Sequence, residues 1–174
     1  MGVGAPRASL LAGHRGSALE RLILDTTILV TAERSADALD AIISDEDDVA
    51  IAAITAAELL VGVELSHGEA KSRRAGFVED VLSSLPVEPY DLEVARAHAG
   101  LLAHARRSGR PRGAHDLLIA ATALTRGRTV VSADPAGFAD LPGVALRLET
   151  CSRSVCATAR STPGKAAPAD EVSE

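Results

Sequence analysis

A single carboxylate, Asp25, stands inside the apolar run LILDTTILV of residues 22–30. An unpaired carboxylate is costly to bury, so Asp25 must either lie where a strand ends or have a cationic partner. Three more acids stand beside apolar runs: Glu58 in TAAELL, Asp116 in DLLIAATAL and Asp134 in VVSADP. Carboxylate oxygens are the ligands that Mg²⁺ and Mn²⁺ prefer, so four converging acids would form a site for one of these cations.

The elements that must position these acids follow from the apolar patterning. Short strands are predicted at residues 22–24, 48–54, 86–90, 128–133 and 144–148, the last of them at a sheet edge. Helices are predicted at residues 36–44, 55–65, 69–85, 92–108 and 116–126. Strands that alternate with helices are typical of an α/β fold, here with three layers: a central, mainly parallel sheet of four to five strands flanked by helices.

Sequence position places all four acids at one edge of this sheet. Asp25 and Asp134 directly follow predicted strands, and Glu58 lies in the first turn of the helix after the second strand. Asp116 begins a helix that leads back into a strand, so it starts near the same carboxyl edge, where open α/β sheets bind ligands. Carboxylates gathered there would repel one another unless a cation neutralised them.

Each acid also has a purely structural explanation. Thr55 and Glu58 have the spacing of a capping box, in which the glutamate bonds back to the start of its own helix. Asp116 could cap its helix, and Asp25 and Asp134 could bond to turn amides. The cation site is favoured only because the four acids occur together.

The composition limits the classes of function. The chain has 174 residues, a net charge of −6 and 2% aromatic residues. Such a chain is not expected to be a nonspecific basic nucleic-acid binder or to bind bases mainly by stacking. No apolar run reaches the ~18 residues of a membrane-spanning helix, so we expect a cytoplasmic protein with no membrane partner. The two cysteines, Cys151 and Cys156, have no zinc ligands nearby and are interpreted as incidental.

One domain is predicted, with a segment on either side of it. Residues 1–20 are rich in Gly, Ala and Ser and are interpreted as an N-terminal extension, either disordered or a misassigned start. Residues 21–149 hold the predicted domain. Residues 150–174 are low in large apolar side chains and are predicted to be a disordered tail.

A basic segment, ARRSGRPRGAH, directly precedes Asp116. Its arginines are Arg106, Arg107, Arg110 and Arg112. On an acidic protein, such a segment beside the predicted site could bind a phosphate backbone, with Arg110 and Arg112 as the contacts. The alternative is a solvated helix end, because the helix dipole also favours arginine there.

Four segments resemble the PIN-domain ribonucleases, and within them the VapC-like toxins of bacterial toxin–antitoxin pairs. The segments are LILDTTILV, TAAELLVG, GAHDLLIAATAL and VVSADPAGFADLPGV, and the resemblance extends from residue 22 to about 148. It implies a PIN-like fold and a metal-dependent endoribonuclease that acts as a toxin. It also implies that the four acids hold Mg²⁺, with Mn²⁺ as an alternative.

The resemblance assigns expectations to polar residues beside the acids. Thr26 or Thr27, together with Ser132, would donate hydrogen bonds to metal-bound waters or to phosphate. Members of this group often carry Asn before the third acid, where this chain has His115. The histidine could donate to phosphate or simply cap its helix.

The resemblance also implies macromolecular partners. These are an RNA substrate, such as tRNA or rRNA, and a cognate antitoxin that places a basic side chain in the acidic cleft. A homodimer is expected because dimers are common in the family. The predicted helices 36–44 and 55–65 are rich in small apolar residues and form the predicted antitoxin groove, with Leu59 and Leu60 as positions to test.

Three other functions remain open. The first is another metal-dependent phosphodiesterase, either a DNA nuclease or a phosphatase, which would use the same acids. A receiver-like signalling module would need a lysine late in the domain, but the only lysines are Lys71 and Lys165, neither at a predicted strand end. A non-catalytic binding protein with this fold is the third, although the presence of all four acids argues against it.

Overall fold

A five-stranded parallel sheet forms the centre of the molecule, whose structure is a computed structural model that describes residues 19–34, 39 and 42–149. The strands are β1 Arg21–Leu24, β2 Asp48–Ala52, β3 Val87–Glu88, β4 Thr129–Ser132 and β5 Leu146–Leu148. All neighbours pair in parallel, in the order β3–β2–β1–β4–β5. The predicted α/β class is confirmed, and so is the edge position of the last strand.

Helices cover both faces of this sheet. Within the described ranges they are α1 Thr26–Arg34, α2 Ala53–Glu64, α3 Gly68–Ser84, α4 Leu92–Arg107, α5 Ala114–Arg126 and α6 Pro135–Phe138. The predicted helix boundaries for α4 are supported by its caps. Asp91 accepts a hydrogen bond from the Val94 backbone N–H at 3.0 Å, and Gly109 beyond the other end has a φ of 64°.

The sheet is buried on both faces, as its apolar strands predict. Side chains along β1 alternate, so that Leu22 and Leu24 face one side of the sheet and Ile23 faces the other. Leu22 and Leu24 pack in a core with α1, α2 and α3, whereas Ile23 packs in a second core with α4, α5 and α6. The molecule therefore has the three predicted layers.

Helix α1 is absent from the sequence-based prediction. Its first residues, TTILV, are rich in β-branched side chains that suit a strand. The chain turns instead at Asp25, whose backbone carbonyl accepts a hydrogen bond from the Ile28 N–H at 3.1 Å. Ile28, Leu29 and Ala32 then share the buried face of a helix, so burial against the sheet decides the local structure.

Two predicted boundaries near β2 differ from the structure. Most of the predicted helix 36–44 lies outside the described residues, and residues 42–44 form a turn in which the Ser44 N–H donates to Asp47 Oδ2 at 2.8 Å. The second strand ends at Ala52 rather than at residue 54, and α2 begins at Ala53. The run AITAAELL is therefore helical from its first residue.

The predictions for the ends of the chain fall largely outside the described residues. The predicted extension is described only at residues 19 and 20, and the predicted tail 150–174, with both cysteines, is not described. In the described ranges, no helix combines the length and the apolar character needed to cross a membrane.

A buried arginine, Arg128, connects the strands β1, β2 and β3 through its guanidinium. Arg128, directly before β4, is 7% exposed. Its guanidinium donates to the carbonyls of Leu22 at 3.4 Å and Asp48 at 2.7 Å, and pairs with the carboxylates of Asp48 at 2.9 Å and Glu88 at 3.0 Å. Hydrogen bonds from Arg128 and then Arg21 hold the pKa of the Asp48 carboxyl below its ordinary value.

Candidate active site

Asp25 directly follows the central strand β1, and hydrogen bonds compensate its burial. The residue is 4% exposed. Its Oδ1 accepts from the Thr26 backbone N–H at 2.8 Å, and its Oδ2 accepts from the hydroxyls of Thr27 and Ser132, each at 2.7 Å. Three donors therefore explain why an acid is tolerated beside the core. The Thr27 and Ser132 hydroxyls orient Asp25, and their contact with metal-bound water or phosphate stays a prediction.

Glu58 does not form the capping box that its spacing allows. Because α2 begins at Ala53, Glu58 is the sixth helical residue and lies in the second turn, too far along to bond back to the helix start. Thr55 is buried, and its hydroxyl has no hydrogen-bond partner within the described part of the chain. Glu58 turns toward the other acids instead, where its Oε2 accepts a hydrogen bond from the Thr26 hydroxyl.

His115 pairs with Glu58 and does not cap its helix. The residue before α5 is Gly113, which occupies the cap position, and His115 is the second residue of the helix. Its Nδ1 lies 2.6 Å from Glu58 Oε1, so the ring bridges α5 and α2 across the site. The capping role predicted for His115 is wrong, and a contact with phosphate stays a prediction.

Asp116 lies in the first turn of α5, and the charges of the other three acids affect the pKa of its carboxyl. Burial raises the pKa of its carboxyl, and the charges of Asp25, Asp134 and Glu58 raise it further, in that order. Since only nearby carboxylates have this effect, the structure brings all four predicted acids together. A hydrogen bond from the Gly113 N–H opposes the shift without removing it.

Two glycines make room for the Asp116 carboxylate. A Cβ atom on Gly113 would lie 2.4 Å from Asp116 Oδ2, and a Cβ on Gly137 would lie 2.9 Å from both Oδ2 and Cγ. Contacts this short are strongly repulsive, so a side chain at either position would force something to shift. Neither glycine is among the residues predicted from the sequence. Gly113 could have been found from its place before the helix that carries Asp116, whereas Gly137 gives no such signal.

Asp134 begins the single-turn helix α6, which the sequence did not predict. Its carboxylate accepts from the Ala136 N–H at 2.9 Å, and Pro135 occupies the first helical position, as both residues favour. The Asp134 backbone N–H donates to Ser132 Oγ at 2.9 Å, and the Ser132 hydroxyl donates to Asp25. One serine therefore links the first and the fourth acid.

The arginines predicted to bind phosphate have different surroundings. Arg112 donates to the carbonyls of Ala136 at 2.8 Å and Ala139 at 2.7 Å, so its guanidinium is engaged with α6 and the residue after it, and its contact with phosphate stays a prediction. Arg110 forms an exposed ion pair with Asp140 at 2.8 Å, which a phosphate could replace at little cost.

An open cavity lies between the end of α4 and the start of α5. It has a volume of about 300 Å³, and its lining includes Leu102, Arg106, Pro111 and Leu117. Arg106 is exposed, and its guanidinium forms no hydrogen bond or ion pair within the described residues. The guanidinium of Arg106 is therefore free, and it lines the same cavity as Leu117, the residue that follows Asp116 in the chain.

The donor set suits a hard divalent cation, but the acids are turned toward protein partners. Among the described residues, no three His, Cys, Asp or Glu side chains stand in an arrangement that could hold a metal ion. Glu58 is bonded to His115, and Asp134 is bonded to the Ala136 N–H. Mg²⁺ needs only one or two carboxylates because waters complete its shell. The uncompensated repulsion at Asp116 fits such a cation, and the all-carboxylate chemistry does not suit zinc.

The fold and the acids at one sheet edge are those of a PIN domain. The family model of the PIN domain matches residues 22–144, and the chain belongs to this family. The resemblance found in the sequence is thereby confirmed. Among its relatives, a ribonuclease VapC from Rickettsia bellii is 32% identical over 122 residues, which cover 70% of this chain and 90% of the relative. A tRNA(fMet)-specific endonuclease VapC from Salmonella typhimurium is 36% identical over 94 residues, or 54% of this chain and 70% of the relative.

A solved structure shows the same arrangement of elements in a toxin–antitoxin complex. DNA-bound VapBC from Salmonella typhimurium matches with a TM-score of 0.65 and 28% sequence identity. The match covers 74% of this chain and 98% of that chain. The described domain is therefore comparable in extent to the matched chain of that complex.

Proposed function

We propose that this protein is an endoribonuclease that depends on Mg²⁺ or Mn²⁺ and is the toxic component of a toxin–antitoxin pair. The observation that carries the proposal is the placement of the four acids at one sheet edge, where Ser132 links Asp25 to Asp134, Thr26 bonds to Glu58, and the other three acids crowd the carboxyl of Asp116. A divalent cation is the partner that relieves this repulsion. The names of the relatives, a ribonuclease and a tRNA-specific endonuclease, support RNA as the substrate.

Each acid has a role in this proposal. Asp25 and Asp116 would hold the cation directly, because Asp25 is fixed by three donors and Asp116 has no cationic partner among the described residues. Glu58 and Asp134 would bind its waters. A bound cation supplies Lewis-acid activation of a phosphodiester and a water of lowered pKa. His115 keeps Glu58 oriented through its ring nitrogen.

The substrate would approach from the side of the basic segment. The guanidinium of Arg106 has no polar partner in the described part of the chain, and the ion pair of Arg110 is exposed, so both guanidinium groups are accessible to phosphate. The cavity beside Arg106 has apolar walls from Leu102, Pro111 and Leu117. These cations would offset the repulsion between a polyanionic RNA and a chain of net charge −6.

The test is cleavage of end-labelled RNA by the purified protein in Mg²⁺, in Mn²⁺ and in EDTA. Cleavage is expected with either cation and is expected to stop in EDTA. An Asp116→Asn variant, purified in parallel, is the control for contaminating nucleases, and it should not cleave. Cleavage that persists in EDTA or in the variant would contradict the proposal.

The same experiment separates the alternatives. Cleavage of single-stranded DNA but not of RNA would indicate a DNA nuclease, and release of inorganic phosphate from a phosphomonoester would indicate a phosphatase. Binding of Mn²⁺ and RNA with no cleavage of either nucleic acid would favour a non-catalytic protein. All of these functions would use the same four acids, so only the substrate that is cleaved distinguishes between them.

The proposed partner is a cognate antitoxin, as supported by the solved toxin–antitoxin complex. Helix α2 exposes Leu60 and Val61 and is one side of the predicted groove, whereas Leu59 is 6% exposed and belongs to the core. Leu59 is therefore unsuitable as a test position, and Leu60 remains suitable. A homodimer in the cytoplasm is part of the same proposal.

Co-expression with the protein encoded by the adjacent reading frame tests this partner. The two proteins are expected to copurify, and the complex is expected to cleave RNA more slowly than the free chain. A Leu60→Asp variant should lose the partner and keep its nuclease activity, because Leu60 is exposed and lies two residues after Glu58, on a different face of helix α2. Copurification that is unchanged in the variant would exclude α2 from the interface.

A further inference from the structure

Helix α6 lies directly against the Asp116 carboxylate, and a glycine stands at the point of contact. Gly137 is buried, and a Cβ added to it would lie 2.9 Å from Asp116 Cγ and Oδ2 and 3.4 Å from Asp116 Cβ. The backbone of Gly137 is not among the glycines with positive φ, so its conformation is open to any residue. Glycine is needed at this position only for space, although it costs helix stability relative to alanine.

Two residues fix α6 at this position. Arg112 donates to the carbonyls of Ala136 and Ala139, which flank Gly137, and so holds the helix from the loop that leads into α5. Phe138, which is 2% exposed, anchors the other side of α6 in the core it shares with α5. The helix is therefore held from two directions, and Gly137 cannot retreat from Asp116 without breaking one of these contacts.

We infer that Gly137 and Arg112 are positioning residues for Asp116, and that α6 is the surface that sets the direction of this carboxylate. The inference rests on the proposed cation-dependent function. A methyl group at residue 137 can be accommodated only if Asp116 rotates away or α6 moves. The first change displaces a proposed cation ligand, and the second displaces Asp134, which begins α6.

The first test is Mn²⁺ binding by Gly137→Ala, measured by calorimetry on the full chain. We expect affinity to fall about tenfold or more, the usual effect of disturbing the groups that orient a metal ligand. Gly100→Ala is the matched control, because it adds the same methyl group to helix α4 and its Cβ would meet no atom within 4 Å. This control should bind Mn²⁺ as the wild type does.

A second variant, Arg112→Lys, keeps the inference testable if Gly137→Ala does not fold. Lysine keeps the charge but, as a compact point donor, cannot bond both carbonyls in the fork geometry of arginine. We expect weaker Mn²⁺ binding, in the same direction as for Gly137→Ala. If Arg112 were a phosphate contact instead, the variant would bind Mn²⁺ normally and lose only RNA affinity.

The contact itself can be tested without a metal. Gly137→Ala is expected to lower the midpoint of thermal unfolding in the presence of Asp116, and to lower it much less in an Asp116→Ala background, where the crowded atoms are gone. Wild-type affinity for Mn²⁺ in both Gly137→Ala and Arg112→Lys would overturn the inference. A wild-type protein that binds Mn²⁺ but leaves RNA intact would refute the proposed function and not the positioning role.

Discussion

Replacing Asp116 with asparagine is expected to stabilise the metal-free protein at pH 7 and to lower RNA cleavage at least about 100-fold. The two effects have one cause. Three other acids crowd the Asp116 carboxylate. Their repulsion destabilises the folded protein when no cation is bound, and it favours the binding of a cation. An amide removes the charge and keeps an oxygen that can accept the hydrogen bond from the Gly113 N–H.

The sign of the stability effect follows from the direction of the pKa shift. Burial, and then the neighbouring acids, raise the pKa of Asp116 in the folded protein. A carboxyl with a raised pKa contributes to stability below about pH 4, and that contribution is lost as the pH rises through the raised value. The Asp116→Asn variant has no carboxyl at this position, so its stability does not fall in this way as the pH rises. We expect a gain of about 0.5–2 kcal/mol at pH 7 in EDTA, a range that allows for the partial exposure of the carboxyl.

Urea unfolding in EDTA at acidic and at neutral pH measures this effect. Asp48→Asn is the matched control, because Arg128 and Arg21 lower the pKa of Asp48. That variant should be less stable than the wild type at pH 7, and the difference should shrink in acid. Adding Mn²⁺ should stabilise the wild type and not Asp116→Asn. An Asp116→Asn protein that is no more stable than the wild type at pH 7, or that still cleaves RNA, would contradict this account.

Arg128→Leu is expected to lower the free energy of unfolding by about 2–4 kcal/mol. The substitution leaves the carboxylates of Asp48 and Glu88 without their shared cation and removes the side-chain donor from two strand carbonyls. Loss of one partner from a fully buried ion pair costs about 3–5 kcal/mol. The expected cost is smaller here because the side chain of Asp48 is 39% exposed and can be partly hydrated.

Arg21→Leu is the control for this prediction, because Arg21 pairs with the same carboxylate at 3.0 Å but is itself 49% exposed. Exposed pairs contribute at most about 1 kcal/mol, so this variant should unfold close to the wild type. Equal losses in the two variants would mean that burial of Arg128 is not what makes it important. Chemical denaturation monitored by circular dichroism measures both.

The sequence predicts where the acids lie because their positions depend on local signals. Asp25 and Asp134 each end a strand, and parallel strands end at one edge, so the apolar pattern alone brings them together. The alternation of helix and strand predicts the layers in the same way. Errors of one or two residues at a boundary still matter, since the start of α2 at Ala53 rules out the capping box that a start at residue 55 would have allowed for Glu58.

What each side chain touches depends on packing between distant segments and is not predicted. The sequence shows the charge of Arg112 but not the two carbonyls of α6 that it meets. It shows Gly137 as one glycine among 14, while its importance comes from the approach of α6 to Asp116. Helix α1 is missed for a related reason, because the sheet selects a helix where β-branched residues suggest a strand.

The bond between Asp25 and Ser132 also determines when the site can exist during synthesis. The two residues are 107 positions apart, and the bond joins the residue after β1 to the last residue of its neighbour β4. Contacts of such high contact order form late, and chains are made from the N-terminus at about 5–20 residues per second. The growing polypeptide therefore carries its first acid long before it can assemble a nuclease. For an enzyme whose proposed substrate is RNA, a growing chain that has not yet reached Ser132 therefore lacks the bond that orients the first acid.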